Sequence, residues 1–211
     1  MAAFQHDPDR NDANAQFLSF FFFFMNTTNL ILIKLALATP WLIWLSVCDC
    51  RRHELPNRLT FGGAAVMAAV ALAAGLDYLL MSLTVAFLSS LFMLLPFYLR
   101  AAGAGDVKMM FAAGLTAGPG VASDSLINTL NLLLLISFAG IILAVVMLAM
   151  KWVNTARLKH YLRCIFDWRY DRAEGRKSMP PKDTEACRVP FGVAIAAGLW
   201  CNLLIQLAYM V

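Results

Sequence analysis

The chain has 211 residues, 61% hydrophobic and 14% charged, with a formal net charge of +4. A soluble domain carries about a quarter charged residues, so this composition excludes a soluble globular enzyme and indicates a polytopic helical membrane protein. No basic stripe is interleaved with aromatics on a soluble fold, which argues against nucleic acid as a partner.

Residues 1–16 are polar, and Phe20 to Phe24 is a run of five phenylalanines ahead of Met25. Neither a basic start nor a small-residue cleavage site marks a signal peptide. Residues 1–29 read as a variable N-terminal extension, with Met25 an alternative start. Residues 30–211 read as one six-span domain.

Its apolar segments are residues 30–48, 59–76, 79–99, 108–121, 126–150 and 189–210. At about 1.5 Å per residue most are long enough to span. Lys34 is expected to snorkel near the outer end of the first. A tight turn is expected at Asp77-Tyr78, between the second and third. The fourth is short and interrupted by Gly114, Gly118, Pro119 and Gly120.

Charge fixes the orientation. Arg51, Arg52 and Arg58 follow span one, Arg100 and Lys108 bracket the loop after span three, and ten Lys and Arg lie between Lys151 and Arg188. If all six segments cross, these loops share one side, which the positive-inside rule makes cytoplasmic. A fourth segment that failed to cross would put the most basic loop outside, a worse violation than one short helix. Within the basic loop, residues 151–172 have helical apolar spacing and a basic opposite face, as in a helix lying on anionic lipid. Residues 173–188, with Gly175, Pro180 and Pro181, read as a flexible return.

This topology brings together two carboxylates that lie 57 positions apart. Asp49 ends span one and Asp106 begins span four, both at the cytoplasmic rim. A carboxylate beside hydrocarbon is costly and calls for a reason. Two held close lose their protons in two steps that belong to the pair. The charged partner can take a proton from attacking water while the protonated partner donates to a carbonyl oxygen. Neither metal nor cofactor is required. The five cysteines, Cys48, Cys50, Cys164, Cys187 and Cys201, form no C-x-x-C pair and read as buried, reduced thiols. His53 and His160 read as interfacial loop residues, so no span carries a histidine relay.

Around the pair, Gly103 and Gly105 are expected to allow an unusual turn and close helix packing. Lys108 is within reach of lipid headgroups. Pro56 limits the loop after span one, and Asn57 is expected to cap the next helix. Pro190 and Gly192, at the start of span six, are expected to open space beside the carboxylates.

These elements resemble the type IV prepilin peptidases, the bacterial GxGD-type intramembrane aspartyl leader peptidases. The resemblance rests on Asp49 followed by a short basic loop ending in Leu55-Pro56-Asn57, on Gly103-Ala104-Gly105-Asp106-Val107-Lys108, and on Pro190-Phe191-Gly192 opening the last span. It implies that Asp49 and Asp106 are the catalytic pair. It also implies prepilin or pseudopilin substrates, cut at the cytoplasmic boundary of a bacterial inner membrane. The bifunctional members carry an N-terminal segment with paired C-x-x-C motifs, not seen here. The chain thus resembles the short, peptidase-only type associated with Flp/Tad-type pili, with no N-methylation and no S-adenosylmethionine. Two other readings stand beside it. Presenilin-like and signal-peptide-peptidase proteases share Gly-x-Gly-Asp but cut deep within a span. A transporter or assembly factor would place its polar groups near the midplane.

Overall fold

The computed structural model describes residues 27–52, 55–98, 102–119, 125–150 and 190–210. They form six helices: α1 (Thr27–Arg52), α2 (Asn57–Ala74), α3 (Leu76–Tyr98), α4 (Ala104–Ala117), α5 (Ser125–Ala149) and α6 (Phe191–Met210). All but α4 are long and apolar enough to cross a membrane. The fold is all-α and multi-pass. The N-terminal extension and the basic loop, with its proposed surface helix, lie outside the described residues, as do His53, His160, Cys164 and Cys187.

Side-chain contacts fix the direction of each helix. Trp41 in α1 donates its indole N–H to the Leu59 carbonyl in α2, 2.9 Å away. Ser89 in α3 lies against Gly114 in α4, while Ser82 lies against Gly118. Ile136 in α5 packs on Gly198 in α6, and Gly140 lies near Ala194. Helices α1, α3 and α5 therefore run one way, and α2, α4 and α6 the other. The fourth segment runs with the bundle, as the charge argument required. At 14 residues it is about 21 Å long, short of the roughly 30 Å of bilayer hydrocarbon.

α4 is also the centre of the bundle. Met109, Met110 and every residue from Ala112 to Ala117 are buried. α5 is the opposite case: it buries only Asn128, Thr129, Leu132 and Ile136, and turns Leu130, Leu134, Phe138 and Ile141 outward. In water such a surface would aggregate; facing acyl chains, it is matched to its solvent.

Small residues set the spacing, as expected where apolar helices gain little from leaving lipid. A methyl group at Gly198 would stand 2.6 Å from the Ile136 Cα, and one at Gly114 2.6 Å from the Ala86 Cα. Backbone cannot step aside cheaply. Gly198→Ala and Gly114→Ala are each expected to destabilise by about 1–3 kcal/mol, read as a lower thermal midpoint in detergent. Gly62→Ala, which meets nothing within 4 Å, is the neutral control.

Several element ends differ from the sequence expectation. The turn between α2 and α3 is made by Gly75, not Asp77-Tyr78. Gly75 adopts φ +132°, and its N–H closes on the Leu72 carbonyl at 3.0 Å. That conformation is open to glycine and strained for side-chain-bearing residues, so Asp77 and Tyr78 fall in the first turn of α3. Lys34 does not snorkel: it is fully buried. Cys50 and Cys201 are exposed and Cys48 half-buried, so these thiols are not the buried ones expected.

Candidate active site

The site is built at one rim of the bundle, where α1 ends and α2, α4 and α6 begin. Asp49 does not terminate span one; it sits inside α1, which continues to Arg52. Its side chain turns into the bundle and is only 5% exposed. The space that receives it is left by Gly192 in the first turn of α6. A methyl there would lie 2.7 Å from Asp49 Oδ2, 3.1 Å from its Cγ and 3.3 Å from Met109 Sδ. The Asp49 carboxyl itself occupies the room that the missing side chain of Gly192 leaves. Pro190 is buried just ahead of α6, and its carbonyl accepts the Val193 N–H at 3.1 Å.

Met109 connects this contact to the second carboxylate. It follows Asp106 by three residues, about 4.5 Å of rise on one helical face. Asp106 is half-buried at the third position of α4. Its Oδ2 accepts the Gly103 N–H at 2.8 Å, while its own N–H donates to the Gly103 carbonyl at 3.1 Å. Thus a carboxylate closes the first turn of its own helix and meets the positive end of the helix dipole. The helix starts at Ala104, earlier than expected, because this closure recruits the Gly-x-Gly segment. Gly103 itself is ordinary extended backbone (φ −88°, ψ 163°), so the unusual turn expected of the two glycines is absent. Gly105 serves close packing instead: a methyl there would stand 3.2 Å from Leu55 Cβ.

The loop before α2 is bound to the same place. Lys108 Nζ donates to Asn57 Oδ1 at 2.8 Å and lies 5.5 Å from the Phe61 ring centroid. This corrects two expectations. Lys108 is directed to Asn57, not to headgroups, and Asn57 does not cap α2. The N-cap residue is Pro56, whose carbonyl accepts the Leu59 and Thr60 N–H groups at 3.0 and 3.1 Å. The Leu-Pro-Asn and Gly-x-Gly-Asp-x-Lys elements are therefore cross-linked by one amine–amide bond. If that bond is their coupling, Lys108→Ala and Asn57→Ala are non-additive. The double variant is expected to fall short of the summed effects on unfolding by about 0.5–1 kcal/mol; full additivity would show the contact idle.

Charge gathers at this rim. Arg51, Arg58 and Lys108 lie here, whereas the opposite end of the described bundle carries Asp77 and the enclosed Lys34. Outside the junction, α1 and α6 leave a groove of about 400 Å³ lined by Leu42, Ser46, Val47, Val193 and Ala196. Ser46 precedes Asp49 by three residues, so the groove leads along one face of α1 towards the carboxyl.

Sequence reasoning missed Met109 and Leu55. The first had a signal, its i+3 spacing from Asp106 on a helix face; Leu55 was read only as part of a loop motif.

Neither the curated proteins nor the solved structures contain a match to the chain. A protein-family model does match: the type IV leader peptidase family, over residues 36–148. That stretch covers more than half the chain and includes Asp49, Leu55-Pro56-Asn57 and the Gly103–Lys108 motif. With its multi-pass helical fold, this chain belongs to the type IV leader peptidase family.

Proposed function

We propose that the chain is an aspartic endopeptidase that removes basic leader peptides from type IV prepilin-like proteins at the cytoplasmic rim of the bacterial inner membrane. Asp49 and Asp106 are its catalytic pair. The observation that carries this reading is the junction at Gly192, where the enclosed Asp49 carboxyl meets the face of α4 one turn from Asp106. Two carboxyls brought to one membrane edge, one of them enclosed at such cost, support a reaction that uses both.

The pair shares one proton. The ionised carboxylate takes a proton from a water whose oxygen attacks the scissile carbonyl carbon. The protonated partner donates to the carbonyl oxygen, giving a gem-diol. Proton transfer to the amide nitrogen then releases the new amine as the C–N bond breaks. The leader leaves with a carboxyl terminus, and the mature protein keeps a free α-amine. The apolar groove between α1 and α6 would accept the first turns of the substrate's hydrophobic helix, presenting the bond just before them to Asp49.

Arg51, Arg58 and Lys108 support a cytoplasmic position for this rim by the positive-inside rule. The test is co-expression with a leader-bearing prepilin of the Flp type and sequencing of the product's N-terminus. A cut at the leader boundary, lost on Asp49→Asn or Asp106→Asn, is expected. A cut many residues inside the hydrophobic helix would favour a presenilin-like protease instead.

A further inference from the structure

Lys34 plays no part in the chemistry above, yet it is among the largest fully buried side chains of the described bundle. An amine enclosed at membrane depth is expensive and marks a function or a structural necessity. Its surroundings identify the necessity. Lys34 Nζ donates to the Tyr78 hydroxyl at 2.7 Å and lies 4.7 Å from the Tyr78 ring centroid. Both face Gly118, the residue that ends α4. A methyl at Gly118 would stand 2.8 Å from Lys34 Nζ, 3.0 Å from Ser82 Oγ and 3.1 Å from the Tyr78 hydroxyl. Gly118 adopts φ +62°, and its N–H returns to the Gly114 carbonyl at 3.0 Å.

α6 completes the arrangement. The buried Gln206 amide donates to the Ala117 carbonyl at 3.2 Å and to Asn202 Oδ1 at 2.7 Å. Polar heads from α1, α3 and α6 thus converge on the last turn of α4. The physical need is plain. α4 is too short to bring its C-terminal carbonyls to water, and carbonyls left bare in an apolar interior are costly. Gln206 of α6 brings one such donor to the Ala117 carbonyl, while Lys34 of α1, bonded to Tyr78, packs against Gly118; the other ends of α1 and α6 build the site. α1 carries Asp49 at its far end and α6 carries Gly192.

We propose that Lys34 and Gln206 are positioning residues for the catalytic pair: they lock the axial register of α4 against α1 and α6, and so set the height of Asp106 relative to Asp49. This rests on the proteolytic reading above. A helix packed on every side transmits a slip at one end to the other, and misplacement by about 1 Å at a reacting centre costs up to about 100-fold in rate.

Three variants test the lock. Lys34→Met and Gln206→Met keep chain length but remove the donors; Tyr78→Phe removes only the acceptor, covering the case in which Lys34→Met fails to insert. Each is purified in detergent and read for kcat, KM and hydrogen exchange along residues 104–118. The expected result is a fall in kcat of tens of fold to about 100-fold, KM essentially unchanged, and faster exchange at both ends of α4, the Asp106 amide included. Wild-type kcat in Gln206→Met and Tyr78→Phe would overturn the proposal. So would faster exchange confined to the Gly118 end, because a slip would not then reach Asp106. Exchange is read without substrate. If the chain cleaves no leader but α4 loosens at both ends, the register lock stands and the proteolytic reading falls.

Discussion

Asp49→Asn and Asp106→Asn are each expected to lower leader cleavage by about 10⁴-fold, the upper end of what one positioned acid–base group contributes, while the protein still inserts and accumulates. The two substitutions fail for different reasons in the same cycle. An amide can neither accept the proton of attacking water nor return one to the carbonyl oxygen. If the carboxyls act as one unit, as proposed, the double variant should be no worse than either single one. Asparagine retains the size and most of the hydrogen bonding of aspartate. At Asp106 its side-chain oxygen still accepts the Gly103 N–H that now closes the turn at 2.8 Å. Normal insertion with abolished cleavage therefore separates chemistry from folding. Substantial processing by either variant would remove that residue from the catalytic pair.

Gly192→Ala is expected to lower cleavage by about 100-fold without preventing folding. The added methyl would sit 2.7 Å from Asp49 Oδ2 and 3.3 Å from Met109 Sδ. A methionine thioether yields easily. The Asp49 carboxyl, on a short side chain of a packed helix, can yield only by swinging out of line. A displacement of about 1 Å is enough for the expected loss. Gly140→Ala, on the neighbouring α5, meets nothing closer than 3.8 Å and should cleave at the wild-type rate. Equal rates for Gly192→Ala and Gly140→Ala would show that Asp49 does not need its present seat.

Much of this arrangement was readable from residue types alone, because membranes restrict what a sequence can do. Apolar length gave the spans, and lysine and arginine gave their alternation. Alternation alone put Asp49 and Asp106 at one rim. What escaped was everything that depends on which way a helix faces. Lys34 had a legible depth but no legible direction. Snorkelling and burial beneath Tyr78 differ by a rotation of α1 that only packing decides. The start of α4 was misjudged because Gly103 and Gly105 argue for a turn locally. The decisive term is the Asp106 carboxylate folding back on the Gly103 N–H, which makes the same residues a helix start. The α2–α3 turn was assigned to Asp77-Tyr78 for polarity, whereas left-handed backbone selects Gly75. Asn57 looked like a cap by type, but Pro56 holds the N-cap position and Lys108 holds the Asn57 side chain.

The measurement that bears most directly on the shared-carboxyl account is an experimental structure with a leader peptide whose scissile amide is replaced by a secondary alcohol. Both the Asp49 and Asp106 carboxyls should lie within about 3 Å of that hydroxyl, with the peptide's hydrophobic helix along the groove between α1 and α6. A bound peptide whose hydroxyl contacts one aspartate while the other points away from the peptide, or lies at another membrane face, would contradict it.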